Sequence, residues 1–172
     1  LGSTLKLYRQ KAIVSDRTDP IFFAGDPNQL LVYNPDNSQT ELYESPTLHN
    51  WSLVDNDVMP SDADTLQSQF KYWDGSDDIY IITNGPSGMG LLRGESLTDM
   101  EFIDLPNISE RSDGGAYWDG ETAYIMTEEP TPTVSSDDMR LFAAPHPEGP
   151  YEDQGIAVET NFPNGTGDPE FI

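Results

Sequence analysis

Apolar residues along this chain recur with a period of two in short runs, and clusters of Asp, Gly, Asn and Pro interrupt the runs roughly every 8 to 12 positions. The runs are rich in Val, Ile, Tyr, Phe and Thr, and no segment carries the three-to-four spacing of an amphipathic helix. Short antiparallel strands are therefore predicted throughout. Three opening strands are expected at Ile21–Ala24, Lys71–Trp73 and Ala116–Trp118. Longer, strongly β-prone strands follow at Gln29–Asn34, Ile79–Thr83 and Thr122–Thr127, then strands at Thr40–Glu44, Gly90–Gly94 and Arg140–Ala144. A weak fourth strand closes each set, ending in Val54, Ile103 and Val158.

This order repeats. The tetrapeptide YWDG occurs at Tyr72–Gly75 and again at Tyr117–Gly120, and FFAG at Phe22–Gly25 is a variant copy. The three glycines lie 50 residues apart from Gly25 to Gly75 and 45 apart from Gly75 to Gly120. Four short strands in a repeat of that length describe a blade of a β-propeller, in which each unit buries its faces only against its neighbours. The expected divisions are an N-terminal segment at 1–18 that completes another blade, blades at 19–66, 67–112 and 113–165, and the start of a fourth at 166–172. Asp168–Ile172 there echoes the DPIFF of Asp19–Phe23. Because a closed ring needs at least four blades, the chain is expected to be the front of a longer polypeptide or to be completed by other material.

Charge narrows the function classes. Eight Lys and Arg against 31 Asp and Glu give a formal net charge of −23, which repels phosphate backbones and anionic headgroups, so nucleic acid is an unfavourable partner. The acidic residues are mixed with aromatic and β-branched ones, unlike a disordered acidic tail. An acidic, lysine-poor, core-forming chain suits molar salt, which points to a halophilic source; an ordinary very acidic protein is the alternative. No apolar run approaches the roughly 20 residues of a membrane-spanning helix, so membrane insertion is not expected. The chain opens at Leu1 with no Met and no signal-peptide pattern, as a processed end or fragment boundary would. Sequons at Asn50, Asn107 and Asn164 fit an extracellular or surface-associated protein.

Metal and nucleophile chemistry find little support. Cysteine is absent, and His49 and His146 stand alone in the sequence, His146 between two prolines. No cofactor is implied. The acidic clusters Asp55–Asp64 and Asp74–Asp78 offer oxygens for Ca²⁺ but lack the ligand spacing of a known calcium loop, and they read as solvated turns.

The runs LLVY at Leu30–Tyr33, ELYES at Glu41–Ser45 and LHNW at Leu48–Trp51, following the DPIFFAG of Asp19–Gly25, resemble the blade pattern of a known family. This is the five-bladed propellers of glycoside hydrolases of the arabinanase/xylosidase and invertase/levansucrase type, with their non-catalytic relatives. The resemblance implies an all-β propeller of four-stranded antiparallel blades with carbohydrate in its central channel. It also implies carboxylates on the channel-lining strands of different blades, placed as a base and an acid across a sugar ring.

Asp19 matches the first-blade aspartate of that pattern and would be the base. The equivalent position reads Gln69 in the second unit and Gly114 in the third, where Asp113 lies one residue early and would face away unless Gly114-Gly115 forms a bulge. Asp168, with Glu170 two residues on, matches in the fourth. Gln69 and the repeated aromatics Tyr72, Trp73, Tyr117 and Trp118 are candidate sugar contacts, ring faces stacking on the apolar face of the pyranose. Equally, such aromatics fill the space between blades, and an Asp-Pro pair can simply cap a strand. Two functions stay open: a glycan-directed propeller that binds, and in an active form hydrolyses, a carbohydrate, or a non-catalytic structural or adhesion module of a halophilic cell surface or virus appendage.

Overall fold

The computed structural model describes residues 18–63, 66–71, 78–108, 112–129 and 138–158, and of Thr18, Asp19, Gln67, Gln69, Lys71, Ser112, Asp113 and Glu129 it describes the backbone alone. Within these residues the chain forms twelve strands and one 3-10 turn at Pro106–Ile108. Strands β1 (Thr18–Phe23), β2 (Asn28–Asn34), β3 (Gln39–Ser45) and β4 (Ser52–Asp55) pair in sequence order as an antiparallel meander. Strands β5 (Leu66–Lys71), β6 (Ile79–Gly85), β7 (Gly88–Gly94) and β8 (Glu101–Asp104) repeat that order. So do β9 (Ser112–Trp118), β10 (Ala123–Glu129), β11 (Asp138–Ala144) and β12 (Glu152–Val158).

The second and third meanders are also tied directly to each other. Their first strands pair in parallel, Phe70 with Ala116 and Lys71 with Tyr117, which joins eight strands into one sheet. Parallel contact between first strands is the geometry expected where innermost strands stand side by side around a common channel.

Two cores lie between successive meanders. Ile21, Leu31 and Leu42 of the first pack against Leu66, Ile81 and Leu92 of the second. Phe70, Tyr80, Ile82, Met89 and Leu91 of the second pack against Ala116, Trp118, Ile125 and Phe142 of the third. The middle meander is thus buried on both faces, which is why its central strands read as the nearly continuous apolar runs IYII and MGLL rather than as alternating ones. Each of these large side chains, fully buried, contributes roughly 1.5–3 kcal/mol.

The second and third strands of every unit fall where the sequence pattern puts them. The opening strand of the second unit starts earlier than expected: its described part is β5, Leu66–Lys71, which meets the expected Lys71–Trp73 at Lys71, and Tyr72 and Trp73 lie outside the described residues. Leu66 and Phe70 explain the difference. They are an even number of residues apart, yet Leu66 is buried in the core toward the first meander and Phe70 in the core toward the third. An irregularity between Leu66 and Ser68 swaps the faces, so the strand shows no clean two-residue period.

Candidate functional site at the start of the innermost strands

All three first strands carry an irregularity near their N-terminal end. In β1, Thr18 pairs with Tyr33 and the next pair is Ile21 with Leu31, so Asp19 and Pro20 together stand against Val32. In β5, Leu66 pairs with Thr83 and Ser68 with Ile82, which leaves Gln67 as the extra residue. In β9, Gly114 pairs with Thr127 and Ser112 with Glu128, which leaves Asp113. A bulge bends its strand, re-aims the residue it inserts, and is over-represented beside active sites. Here the inserted positions are Asp19 with its proline, Gln67, and Asp113.

Further along the same strands Ile21 pairs with Leu31, Gln69 with Ile81 and Ala116 with Ile125. Apart from the bulge itself, no signal in the sequence singles out Gln67.

In the third unit the reason for Gly114 is packing. A Cβ there would sit 2.7 Å from Met89 Cε and 3.7 Å from Ile82 Cγ2, inside the core between the blades. A carboxylate at 114 would be buried against apolar atoms. The acidic residue stands one position earlier, and the ladder takes up that offset at Asp113 itself rather than at Gly114-Gly115.

The aromatic candidates part company. Trp118 is 9% exposed and belongs to the core shared with Phe70, so its ring is not an open stacking face. Tyr117, on the other face of β9, is half-buried and packs at a 34° tilt against Tyr124, with ring centroids 6.3 Å apart. Asp168 and Glu170, like Tyr72 and Trp73, lie outside the described residues. The Asp of the second YWDG copy is a turn residue: Asp119 Oδ1 accepts hydrogen bonds from the Glu121 and Thr122 amides at 2.9 and 2.7 Å, which hold its carboxyl below the usual carboxylate range. Gly120 beside it has φ of +103°, so the motif encodes the reversal from β9 to β10.

Away from the bulges, a polar cluster bridges the second and third units. Arg93 on β7 meets Asp78 at 3.0 Å, Glu101 at 3.6 Å and Glu148 of the β11–β12 turn at 3.1 Å. The Tyr80 hydroxyl donates to Glu148 at 3.1 Å, and His146 packs edge-on against the Tyr80 ring with centroids 5.6 Å apart. Burial, and then the Glu148 carboxylate, push the Tyr80 hydroxyl up to about 12. Beside this seam lies an open cavity of about 410 Å³ between the Pro106–Ile108 turn and Gly149–Tyr151. Among the described residues no three His, Asp or Glu side chains are grouped to hold a metal ion.

Three antiparallel four-stranded units whose first strands gather side by side define a β-propeller, here with three of its blades. Solved structures agree on the fold. The exo-β-1,3-galactanase of Clostridium thermocellum superposes with a TM-score of 0.61 at 10% identity, over 87% of this chain and 38% of its own. A candidate exo-β-1,3-galactanase of Bifidobacterium bifidum s17 superposes with a TM-score of 0.58 at 13% identity, over 86% of this chain and 54% of its own. The chain thus spans about two-fifths to half the length of these structures. No family model matches the sequence, and no curated protein matches it significantly.

Proposed function

We propose that this chain is part of a glycan-directed β-propeller that binds a carbohydrate in its channel at the bulged starts of the innermost strands. One observation carries the reading: the aspartates Asp19 and Asp113 both fall on a bulge, at the same end of the innermost strands of two different blades. Sugar hydroxyls are bound by carboxylates and amides, and carboxylates brought from separate strands can flank one pyranose. Asp168 or Glu170 would supply the carboxylate of the next strand, and Tyr72, Trp73 and Tyr117 would supply ring faces. The galactanase fold likeness makes β-1,3-galacto-oligosaccharides the first probes. The sequons at Asn50, Asn107 and Asn164 support a setting outside the cell or at a surface, and the net charge of −23 supports a salt-rich one in which that charge is screened.

Hydrolysis requires one carboxyl kept protonated opposite an ionised one, about 5–9 Å away. The neutral Gln67 at the second-blade bulge favours the second reading, a non-catalytic adhesion or structural propeller of a halophilic surface or virus appendage that retains sugar binding. A glycan array in molar salt, run beside Asp19→Asn with products monitored, separates the two. Cleavage abolished by the substitution establishes a hydrolase. Binding without cleavage in the wild type establishes the adhesion module, and no binding in either form refutes the glycan reading.

A further inference from the structure

We infer that Asn50 is a glycan-attachment site whose oligosaccharide covers an apolar rim of the first blade; the inference takes from the reading above only the setting outside the cell, and nothing of the channel. Asn50-Trp51-Ser52 is one of three sequons in the chain, and the structure separates it from the sequon at Asn107. Asn50 and Ser52 are both exposed where the loop between β3 and β4 runs into β4, and the Asn50 amide has no hydrogen-bond partner among the described residues. Trp51 anchors that loop. Its indole N–H donates to the Leu48 carbonyl at 3.3 Å, and its ring meets Phe22 edge-on with centroids 6.3 Å apart.

Asn107 is held instead. Its side-chain N–H donates to the Tyr151 carbonyl at 3.1 Å, and Ile108, the middle residue of that sequon, is 1% exposed within the core between the blades. A transferase grips the asparagine amide together with the hydroxyl two residues on, which the Asn107 sequon offers only by drawing Ile108 out of the core. Asn164 lies outside the described residues.

The transfer needs a free amide. Asn50 Nδ2 bonds to the anomeric carbon of a sugar carried on a polyprenyl phosphate, the bond from that carbon to the phosphate oxygen breaks, the phosphate leaves with the lipid, and one amide proton passes to a base of the transferase. The surroundings of Asn50 give the glycan a place to lie. Of the six exposed large apolar side chains among the described residues, four lie in this loop, on β4 or against Trp51: Phe22, Leu48, Leu53 and Val54. The apolar faces of sugar rings fit such a rim, and their hydroxyls face water. Asn28 pairs with Ser45 at this end of the blade and Thr18 with Tyr33 at the other, so the glycan stands at the end opposite the bulge in β1.

The test is to incubate the folded, unmodified full chain with an oligosaccharyltransferase of N-x-S/T specificity and its polyprenyl-phosphate oligosaccharide, and to map the modified peptides by mass spectrometry. Asn50 is expected to carry the glycan and Asn107 none, and Asn50→Gln is expected to leave the folded chain unmodified at both positions. The modified chain is expected to bind less of a hydrophobic dye than the unmodified one. No glycan at Asn50 of the folded chain, an equal yield at Asn107, or unchanged dye binding overturns the inference. Because the transfer is read on purified components, a chain that binds no glycan in its channel leaves this result standing.

Discussion

A Cβ atom on Gly114 would lie 2.7 Å from Met89 Cε, so at this glycine the innermost strand of the third blade packs closely against the second. Met89 is fully buried, but the atom in the way is the end of a flexible side chain and can shift. Gly114→Ala is therefore expected to change stability by no more than about 1 kcal/mol, since the gain in backbone entropy offsets the methionine's displacement. Gly114→Asp would bury a carboxylate among Met89 and Ile82 and is expected to cost about 3–5 kcal/mol. Denaturant melts of the two variants check this; equal stability would show that the position is open to solvent.

The seam between the second and third blades depends on Tyr80 and Glu148. Tyr80 is 3% exposed, so removing its hydroxyl leaves Glu148 short of a donor, and Tyr80→Phe is expected to cost about 1–2 kcal/mol. The pH dependence has a definite sign. A tyrosine whose folded value is raised from 10.0 to about 12 holds its proton more tightly when folded, so its stabilisation is complete below pH 10 and is lost as the pH rises toward 12. Tyr151, raised by burial, adds a slope of the same sign. Stability measured between pH 9 and 12 should fall less steeply in Tyr80→Phe than in the wild type.

Asp119 caps the β9–β10 reversal through two amides and takes no part in the proposed channel. Its depressed carboxyl stabilises the fold above the ordinary aspartate value of 3.8 and loses that effect as the pH falls through the lower folded value. Asp119→Ala is expected to lower the melting temperature at pH 7 and to leave glycan affinity intact. A loss of affinity at unchanged stability would put the YWDG motif in the site after all.

Neighbouring aromatics on β9 should behave in opposite ways. Trp118→Ala opens a void in the core between the blades and is expected to cost about 3–5 kcal/mol. Tyr117→Ala, on the face turned away from that core, is expected to cost less than half as much while weakening sugar binding. Thermal melts and glycan titration of the pair check both halves.

Much of the fold was legible in the sequence because the local signals agree. Alternation in LLVY and AYIM, turn residues between runs, and the repeated YWDG all specify the same four-strand unit. The site was legible only in part. Asp19 and Asp113 stand out as carboxylates beside opening strands, but a bulge is a property of pairing between strands, and the sequence of either strand alone does not contain it. This is why the letters single out Gln69 while the pairing offset in β5 falls at Gln67. Gly114 likewise breaks the pattern for a reason held in another blade, the Met89 side chain.

The central claim is that the bulged starts of the innermost strands form the sugar site, and the affinity of the Asp19→Asn/Asp113→Asn double variant for a glycan bound by the wild type tests it most directly. Measured by calorimetry in molar NaCl beside a thermal melt, the double variant is predicted to bind at least tenfold more weakly with its melting temperature unchanged to within a few degrees. Wild-type affinity in the double variant would contradict the claim and move any sugar site away from the bulges.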